Sequence, residues 1–208
     1  MALVRTGDHI CCLFNTEEEH LSIATRYIAE GLRQREHCLY AGRSPAVLAR
    51  FEARLADEGI DVQRMVENGA LTLATTADTH LAHGRFDSEW MLRMMNDKLE
   101  AVMNAGFTGL RTCGDMSWLL DDAPGAGDVV VYEALCTEFF KNTRAVGMCM
   151  YDRARLPAGL LDSALSTHPT TFVNGGCQRN HLDRSRQIID AHRMTNQGTG
   201  NCEADSPS

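Results

Sequence analysis

Residues 7–42 read GDHICCLFNTEEEHLSIATRYIAEGLRQREHCLYAG, and the architecture of the chain follows from this stretch. An apolar run at residues 10–14 is followed by a polar break at residues 15–19. A helical pattern then extends to Leu32, and a second apolar run occupies residues 38–41. Strand, turn, helix and strand in this order predict the first βαβ unit of an open parallel sheet.

The turn after the first strand carries glutamates where nucleotide hydrolases carry a phosphate-binding loop. Such a loop is rich in glycine and ends in Lys and Ser or Thr, because backbone N–H groups and an ammonium group neutralise phosphate. Here Glu17, Glu18 and Glu19 would repel a triphosphate. Thr16 and Glu19 have the spacing of a capping box, so the acids have a structural role at a helix N-terminus. The sequence therefore predicts a nucleotide-binding architecture without NTP hydrolysis.

The composition of the chain limits the classes of function that it can have. Of the 208 residues, 44% are hydrophobic and 23% are charged, as in an ordinary globular protein. No apolar run approaches the roughly 18 residues of a membrane span, and the N-terminus does not resemble a secretory signal. The net charge of −8 disfavours direct contact with nucleic acid or anionic membrane. We expect a soluble, cytoplasmic protein.

The remaining pattern predicts one α/β domain at residues 1–180, with a mostly parallel sheet flanked by helices. About six strands alternate with five helices, including an edge strand at residues 171–173. The clearest helix covers residues 88–104, and its methionine-rich stripe is expected to pack on the sheet. Residues 181–208 are predicted to be a polar tail, weakly helical and then disordered.

The predicted ligand site combines His9, before the first strand, with residues expected near the carboxyl edge of the sheet, where ligands of such folds bind. Those residues are Arg111, Asp115, Trp118, Tyr151, Asp152 and His168. The aromatic side chains would form walls, and Arg111 and Asp115 would orient a small molecule that is part polar and part apolar. In the alternative interpretation, Arg111 and Asp152 form an internal ion pair and Trp118 belongs to the core.

Histidines and cysteines near the first two strands are weak candidates for metal ligands, namely His9, Cys11, Cys12, His37 and Cys38. Because Cys11 and Cys12 are adjacent in a strand, they point to opposite faces, and at most one could join His9 at a metal. The favoured interpretation is buried, reduced thiols beside a hydrogen-bonded His9, with no metal. A redox sensor or enzyme using His9, Cys113 and His168 is the alternative function.

The chain resembles the MEDS family, the methanogen and methylotroph DcmR-type sensory domains. The resemblance covers about residues 7–180 and is carried by motifs in a specific order and spacing. These are Gly7-Asp8-His9-Ile10, Glu18-Glu19, Ala29-Glu30-Gly31-Leu32, Leu110-Arg111, Gly114-Asp115-Met116 with Trp118, Tyr132-Glu133, Cys149 with Tyr151-Asp152-Arg153, and His168-Pro169.

The resemblance implies a fold similar to the RecA and KaiC ATPases without a Walker A loop. It also implies a sensory domain that detects small organic molecules, hydrocarbon derivatives among them. Such domains pass their state to DNA-binding or histidine-kinase partners, so we expect a role in signal transduction or transcription regulation through a separate partner protein. The sequence indicates no cofactor. A homodimer is expected from the RecA-like relatives and from the apolar pair Ile188 and Ile189.

Overall fold

The computed structural model describes residues 4–199 of the chain, with side chains up to residue 195. The strands are His9–Phe14 (β1), His37–Gly42 (β2), Leu71–Thr75 (β3), Leu110–Asp115 (β4), Ala145–Asp152 (β5), Thr170–Val173 (β6) and Gly176–Arg179 (β7). The helices are Glu17–Arg33 (α1), Pro45–Asp57 (α2), Val62–Glu67 (α3), Ser88–Asn104 (α4), Val129–Lys141 (α5), Ala158–Thr167 (α6) and Ser185–Thr199 (α7). Short 3-10 turns occupy Met116–Asp121 and Ala126–Asp128.

The strands form one sheet in the order β3-β2-β4-β5-β1-β6-β7, parallel except for β7. This confirms the predicted α/β class, and β1 lies inside the sheet between β5 and β6. The predicted edge position of residues 171–173 is wrong, because β7 pairs with β6 and covers it. Asn174 and Gly175 have positive φ angles of 50° and 82°, the backbone of a tight hairpin turn.

Helices cover both faces of the sheet, and alternation along each strand sends successive side chains into two separate cores. Ile10, Cys12 and Met148 lie in the core under α1 and α2. Cys11 and Tyr151 lie in the core under α4, α5 and α6. The prediction that Cys11 and Cys12 point to opposite faces is therefore confirmed. None of the helices within residues 4–199 is long and apolar enough to cross a bilayer.

The polar turn after β1 begins a helix, as its spacing predicts. The hydroxyl oxygen of Thr16 accepts the backbone N–H of Glu19 at 3.1 Å. Glu17 binds Arg43 at 2.9 Å and also Arg50, and Glu18 binds Arg54. Arginines that follow β2 thus neutralise the acids at the position where a phosphate-binding loop would lie.

The C-terminal part of the chain contributes more to the fold than its polarity suggests. Helix α7 packs against α5 and buries Ile189, whose exposed fraction is 4%. The hydroxyl of Ser185 donates to the carbonyl of Thr167 at 3.0 Å, which ties the start of α7 to the end of α6. The predicted domain end at residue 180 therefore precedes a further packed helix. The disorder predicted for the final residues lies outside the described residues.

Candidate functional site

Arg111 and Trp118 are buried away from the other residues of the predicted ligand site. Arg111 points to the α1 face, where its guanidinium binds Glu36 and lies 4.6 Å from the ring centroid of Tyr27. Trp118 is 2% exposed and stacks on Phe86 at a centroid distance of 5.0 Å. The predicted alternative is therefore right that Trp118 is core, but it is wrong about the partner of Arg111, which is Glu36 and not Asp152.

Asp115 and Asp152 do lie at the carboxyl edge, at the ends of β4 and β5. A carboxylate oxygen of Asp115 lies 3.6 Å from Nδ1 of His20, and Asp152 lies 3.9 Å from Arg155. Both acids line a cleft of about 230 Å³ beside Thr16. The remaining predicted residues are elsewhere, so the structure divides the predicted site into separate places.

His9, Tyr151 and His168 are brought together on the face of the sheet covered by α5 and α6. They surround Glu133 of α5 and Cys149 of β5. His9 pairs in register with Gly147, so Cys149 follows two residues later on the same face. A Cβ at Gly147 would overlap the ring of Phe140, which packs 5.1 Å from the imidazole of His9. The cluster lies near the amino end of β1, not at the carboxyl edge.

Four side chains of this cluster, which we call the buried quartet, converge on one point: His9, Glu133, Cys149 and His168. Nε2 of His9 lies 3.2 Å and Nε2 of His168 lies 3.5 Å from Oε2 of Glu133. Sγ of Cys149 lies 3.5 Å from Nε2 of His9 and 3.6 Å from Oε2 of Glu133. One ligand atom from each residue lies within 4.8 Å of those of the other three.

Hydrogen bonds on the outer side of the quartet orient its members. Nδ1 of His168 lies 2.7 Å from the carbonyl oxygen of Ala164, which only accepts, so Nδ1 carries the proton. Thr137 donates its hydroxyl proton to the carbonyl of Thr167 at 2.7 Å and thus accepts from Nδ1 of His9 at 2.8 Å. Both imidazoles therefore direct an unprotonated Nε2 towards Glu133.

Burial also determines the charge of these groups. It lowers the pKa of His9 and that of His168 to about 3, so both imidazoles are neutral at neutral pH. Burial likewise raises the pKa of the Cys149 thiol well above its usual range. The hydroxyl of Tyr151 donates to the other carboxyl oxygen of Glu133 at 3.0 Å. The quartet thus combines soft nitrogen and sulfur donors with one oriented carboxyl group.

The other metal candidates do not join His9 in this group. Cys12 and Cys38 belong to the core on the opposite face. His37 instead contacts the carbonyl of Gly69 through Nδ1 at 2.7 Å. Cys113 also lies in the opposite core, so the proposed pairing of Cys113 with His168 is wrong, because the sheet separates them.

Sequence reasoning placed neither Glu133 nor Cys149 in the site. Glu133 lies on α5 and Cys149 on β5, and both occur in the family motifs without a predicted role in the site. One available signal was an acidic residue on a helix face that is otherwise buried. Glu133 and Thr137 are four residues apart and both less than 10% exposed, so they share one inward-facing turn of α5.

A cavity of about 50 Å³ adjoins the quartet, between α4, α5 and the sheet. His9 and Cys149 form part of its wall. The methionines Met91, Met94 and Met95 of α4 form another part, and Thr112 and His80 add polar groups. A larger open cleft of about 1,210 Å³ lies beside α2 and α3. The smaller cavity is the less open of the two. Its wall combines methionine side chains with polar groups, as the walls of small-molecule sites do.

Comparison with known proteins gives a family and a fold. A family model described as MEDS, the methanogen/methylotroph DcmR sensory domain, matches residues 8–169. No curated protein matches the chain. A KaiC-like protein from Pyrococcus horikoshii OT3 superimposes with a TM-score of 0.53 at 10% identity, over 80% of this chain and 70% of that protein. The flagellar accessory protein FlaH from Methanocaldococcus jannaschii does so with a TM-score of 0.56 at 11% identity, over 88% and 81%. The fold is therefore KaiC-like and RecA-like.

Proposed function

The chain belongs to the MEDS family of sensory domains, and from this premise we propose that it binds a small organic molecule in the cavity beside the buried quartet. The observation that carries the proposal is the wall of this cavity. Met91, Met94 and Met95 offer flexible, polarisable side chains that adapt to an apolar ligand. His80 and Thr112 offer polar atoms that can orient it.

The size of the cavity restricts the ligand. Its volume of about 50 Å³ is roughly a third of the engineered apolar cavity of about 150 Å³ that admits benzene in another protein. A ligand of about two to four non-hydrogen atoms fits without rearrangement. Simple hydrocarbon derivatives, such as short alcohols, thiols and haloalkanes, belong to this class.

We propose further that the domain does not hydrolyse NTPs and that a partner protein reads its liganded state. The acids at the start of α1 and their arginine partners occupy the place of a phosphate loop. A sensory domain acts only through an output, so a signalling or transcription partner is the class we expect. The net charge of −8 favours a protein partner over direct contact with nucleic acid.

A thermal-shift series with alcohols, thiols and haloalkanes of one to three carbons tests the ligand site. A ligand that binds only the native state must stabilise it, by about 2.7 kcal/mol at 100 times its Kd. We expect at least one compound to raise the Tm of the wild-type protein by several degrees. The variant Thr112→Ile, which replaces the cavity-lining hydroxyl group with a larger ethyl group, should lose this shift.

The matched control is Ala53→Leu, which enlarges an exposed side chain in the larger open cleft and should keep the shift. An unchanged response in Thr112→Ile would place the ligand elsewhere. A wild-type protein that responds to no compound of the series would contradict the proposed function.

A further inference from the structure

We propose that the buried quartet of His9, Glu133, Cys149 and His168 is a binding site for one Zn²⁺ ion. Donors of this kind, two imidazoles, one thiolate and one carboxylate, are those that zinc takes in proteins. Three of the four residues are buried, and Cys149 is partly exposed to the adjoining cavity.

The distances between donor atoms agree with a tetrahedral ion. Ligands about 2.0 Å (N, O) and about 2.3 Å (S) from zinc lie about 3.3 Å apart as an N–O pair and about 3.5 Å apart as an N–S pair. The two N–O pairs of the quartet are 3.2 and 3.5 Å apart. The N–S pair of His9 and Cys149 is 3.5 Å apart. The remaining donor pairs lie within 4.8 Å of one another, so some of them would have to close by up to about 1 Å around an ion.

The quartet lacks a positive partner of its own. Nε2 of His9, Nε2 of His168 and Oε2 of Glu133 are all acceptors directed at one another, because the outer hydrogen bonds hold the imidazole protons on Nδ1. Among the described residues, Nε2 of His168 is buried and has no hydrogen-bond partner. A buried polar atom without a partner is costly, and a cation at the centre would remove that cost. The Cys149 thiol can donate to Nε2 of His9 or to Oε2 of Glu133, but it leaves Nε2 of His168 without a partner.

Charge balance supports a divalent ion. On binding, the Cys149 thiol loses its proton to solvent and forms a sulfur–zinc bond, so the thiolate and the Glu133 carboxylate together carry two negative charges. These cancel the two positive charges of Zn²⁺, and the loaded site is neutral inside the protein, where a net charge is costly.

The surrounding residues resemble the outer shell of a metal site. Each zinc-binding histidine in proteins normally donates its second N–H to a carbonyl or another acceptor, which fixes the ring. His168 does so to Ala164, and His9 does so to Thr137. Tyr151 holds the free oxygen of Glu133. These bonds involve residues of α5 and α6, so an ion would join both helices to β1 and β5.

The metal content of protein purified without chelators, measured by mass spectrometry, tests the proposal first. The wild-type protein and Cys136→Ser should each hold about one zinc ion per chain. Cys136 is the matched control, because it is a buried thiol beside the same cavity and outside the quartet. Cys149→Ser should bind zinc at least about 100-fold more weakly, because it removes a ligand rather than an outer-shell partner.

Cobalt substitution tests the geometry. Apoprotein titrated with Co²⁺ should develop a thiolate-to-cobalt charge-transfer band and the intense visible bands of a tetrahedral ion. Both should be absent in Cys149→Ser and present in Cys136→Ser. Circular dichroism shows whether each variant is folded.

The variant Thr137→Val keeps all four ligands and removes the hydroxyl group that accepts from His9 and donates to the carbonyl of Thr167. It should weaken zinc binding about 10- to 100-fold, which gives a test even if Cys149→Ser does not fold. Two results would overturn the proposal. One is folded wild-type protein that takes up less than about a tenth of an equivalent of Zn²⁺ or Co²⁺. The other is equal zinc affinity in wild-type, Thr137→Val and any folded Cys149 variant.

Discussion

From the sequence, Arg111 could either contact a ligand or form an internal ion pair, and in the structure it forms an ion pair. Its position in β4 predicts a ligand contact, but its guanidinium binds Glu36, and both side chains are less than 10% exposed. A buried ion pair is costly to break, because the remaining charge loses its partner without gaining water. Arg111 therefore stabilises the α1 face and does not reach the cavity beside the quartet.

We expect Glu36→Gln to lower the free energy of unfolding by about 3 kcal/mol or more, since it leaves Arg111 charged and buried. Urea denaturation measures this loss. The control Glu58→Gln breaks an exposed pair with Arg33 and should cost less than about 1 kcal/mol. Equal costs in the two variants would show that Arg111 is solvated, contrary to the structure.

His80 should make stability depend on pH. Burial lowers its pKa from 6.5 to about 4 in the folded protein. Between these values the unfolded chain binds a proton that the native state does not, so stability is full above pH 6.5 and falls as the pH decreases towards 4. The loss is up to about 3 kcal/mol. His80→Phe should show a shallower decline in urea midpoint from pH 7.5 to pH 4.5, and parallel curves would refute the assignment.

At the scale of elements, the sequence predicts the start of α1 more clearly than it predicts the hairpin of β6 and β7. Thr16 and Glu19 predict a helix start, and the structure has one there. Asn174 and Gly175 form a recognised hairpin dipeptide, but the last strand that the sequence predicts is at residues 171–173. The dipeptide indicates a turn, although the segment after it has few apolar residues. An edge strand needs few of them, so their scarcity does not exclude a strand.

Thr16→Ala should lower the free energy of unfolding by about 1 kcal/mol, because it removes the acceptor that caps α1. Ser44→Ala, which removes the cap of α2, is a useful comparison. Its hydroxyl lies 3.4 Å from the backbone nitrogen of Val47, so the loss should be smaller. Urea denaturation of both variants tests this order, and a larger effect at Ser44 would contradict it.

The acidic start of α1 also leads to a prediction about nucleotides. Mg-ATP at millimolar concentration should leave the Tm of the wild-type protein unchanged, because Glu17 and Glu18 repel phosphate and already hold the nearby arginines. A malachite-green assay should detect no phosphate release. Saturable stabilisation by Mg-ATP would show that the fold retains a nucleotide site by another route.

At the scale of the whole molecule, the class of fold was predictable and the site was predictable only in part. The spacing of apolar residues along the chain predicts the parallel sheet and most helices, including α4 at its observed bounds. His9, Tyr151 and His168 were predicted site residues, and the structure groups them. Glu133 and Cys149 were not, because their approach depends on the register of β1 with β5 and on how α5 crosses the sheet. Spacing along the chain does not encode either.

The packing of helix α7 gives the apolar pair Ile188 and Ile189 a role inside the chain, whereas the sequence suggested a homodimer interface. Ile189 packs inside the chain, and Ile188 is only partly buried. Ile189→Ala should therefore lower the free energy of unfolding by about 2 kcal/mol or more, with a smaller effect for Ile188→Ala. Chemical denaturation of both variants is the measurement. If Ile188→Ala were the more damaging change, the pair would serve an interface instead.

The position of β1 has a consequence for how the protein is made. Within residues 4–199 this first strand pairs with β5 and β6 alone, and Cys149 lies 140 positions after His9. At a translation rate of about 5–20 residues per second, β1 waits roughly 7 seconds or longer for its neighbours to be synthesised. Until then its apolar run and unpaired strand edges are exposed, which makes the nascent chain prone to aggregation. The quartet is then assembled among the last features of the newborn protein.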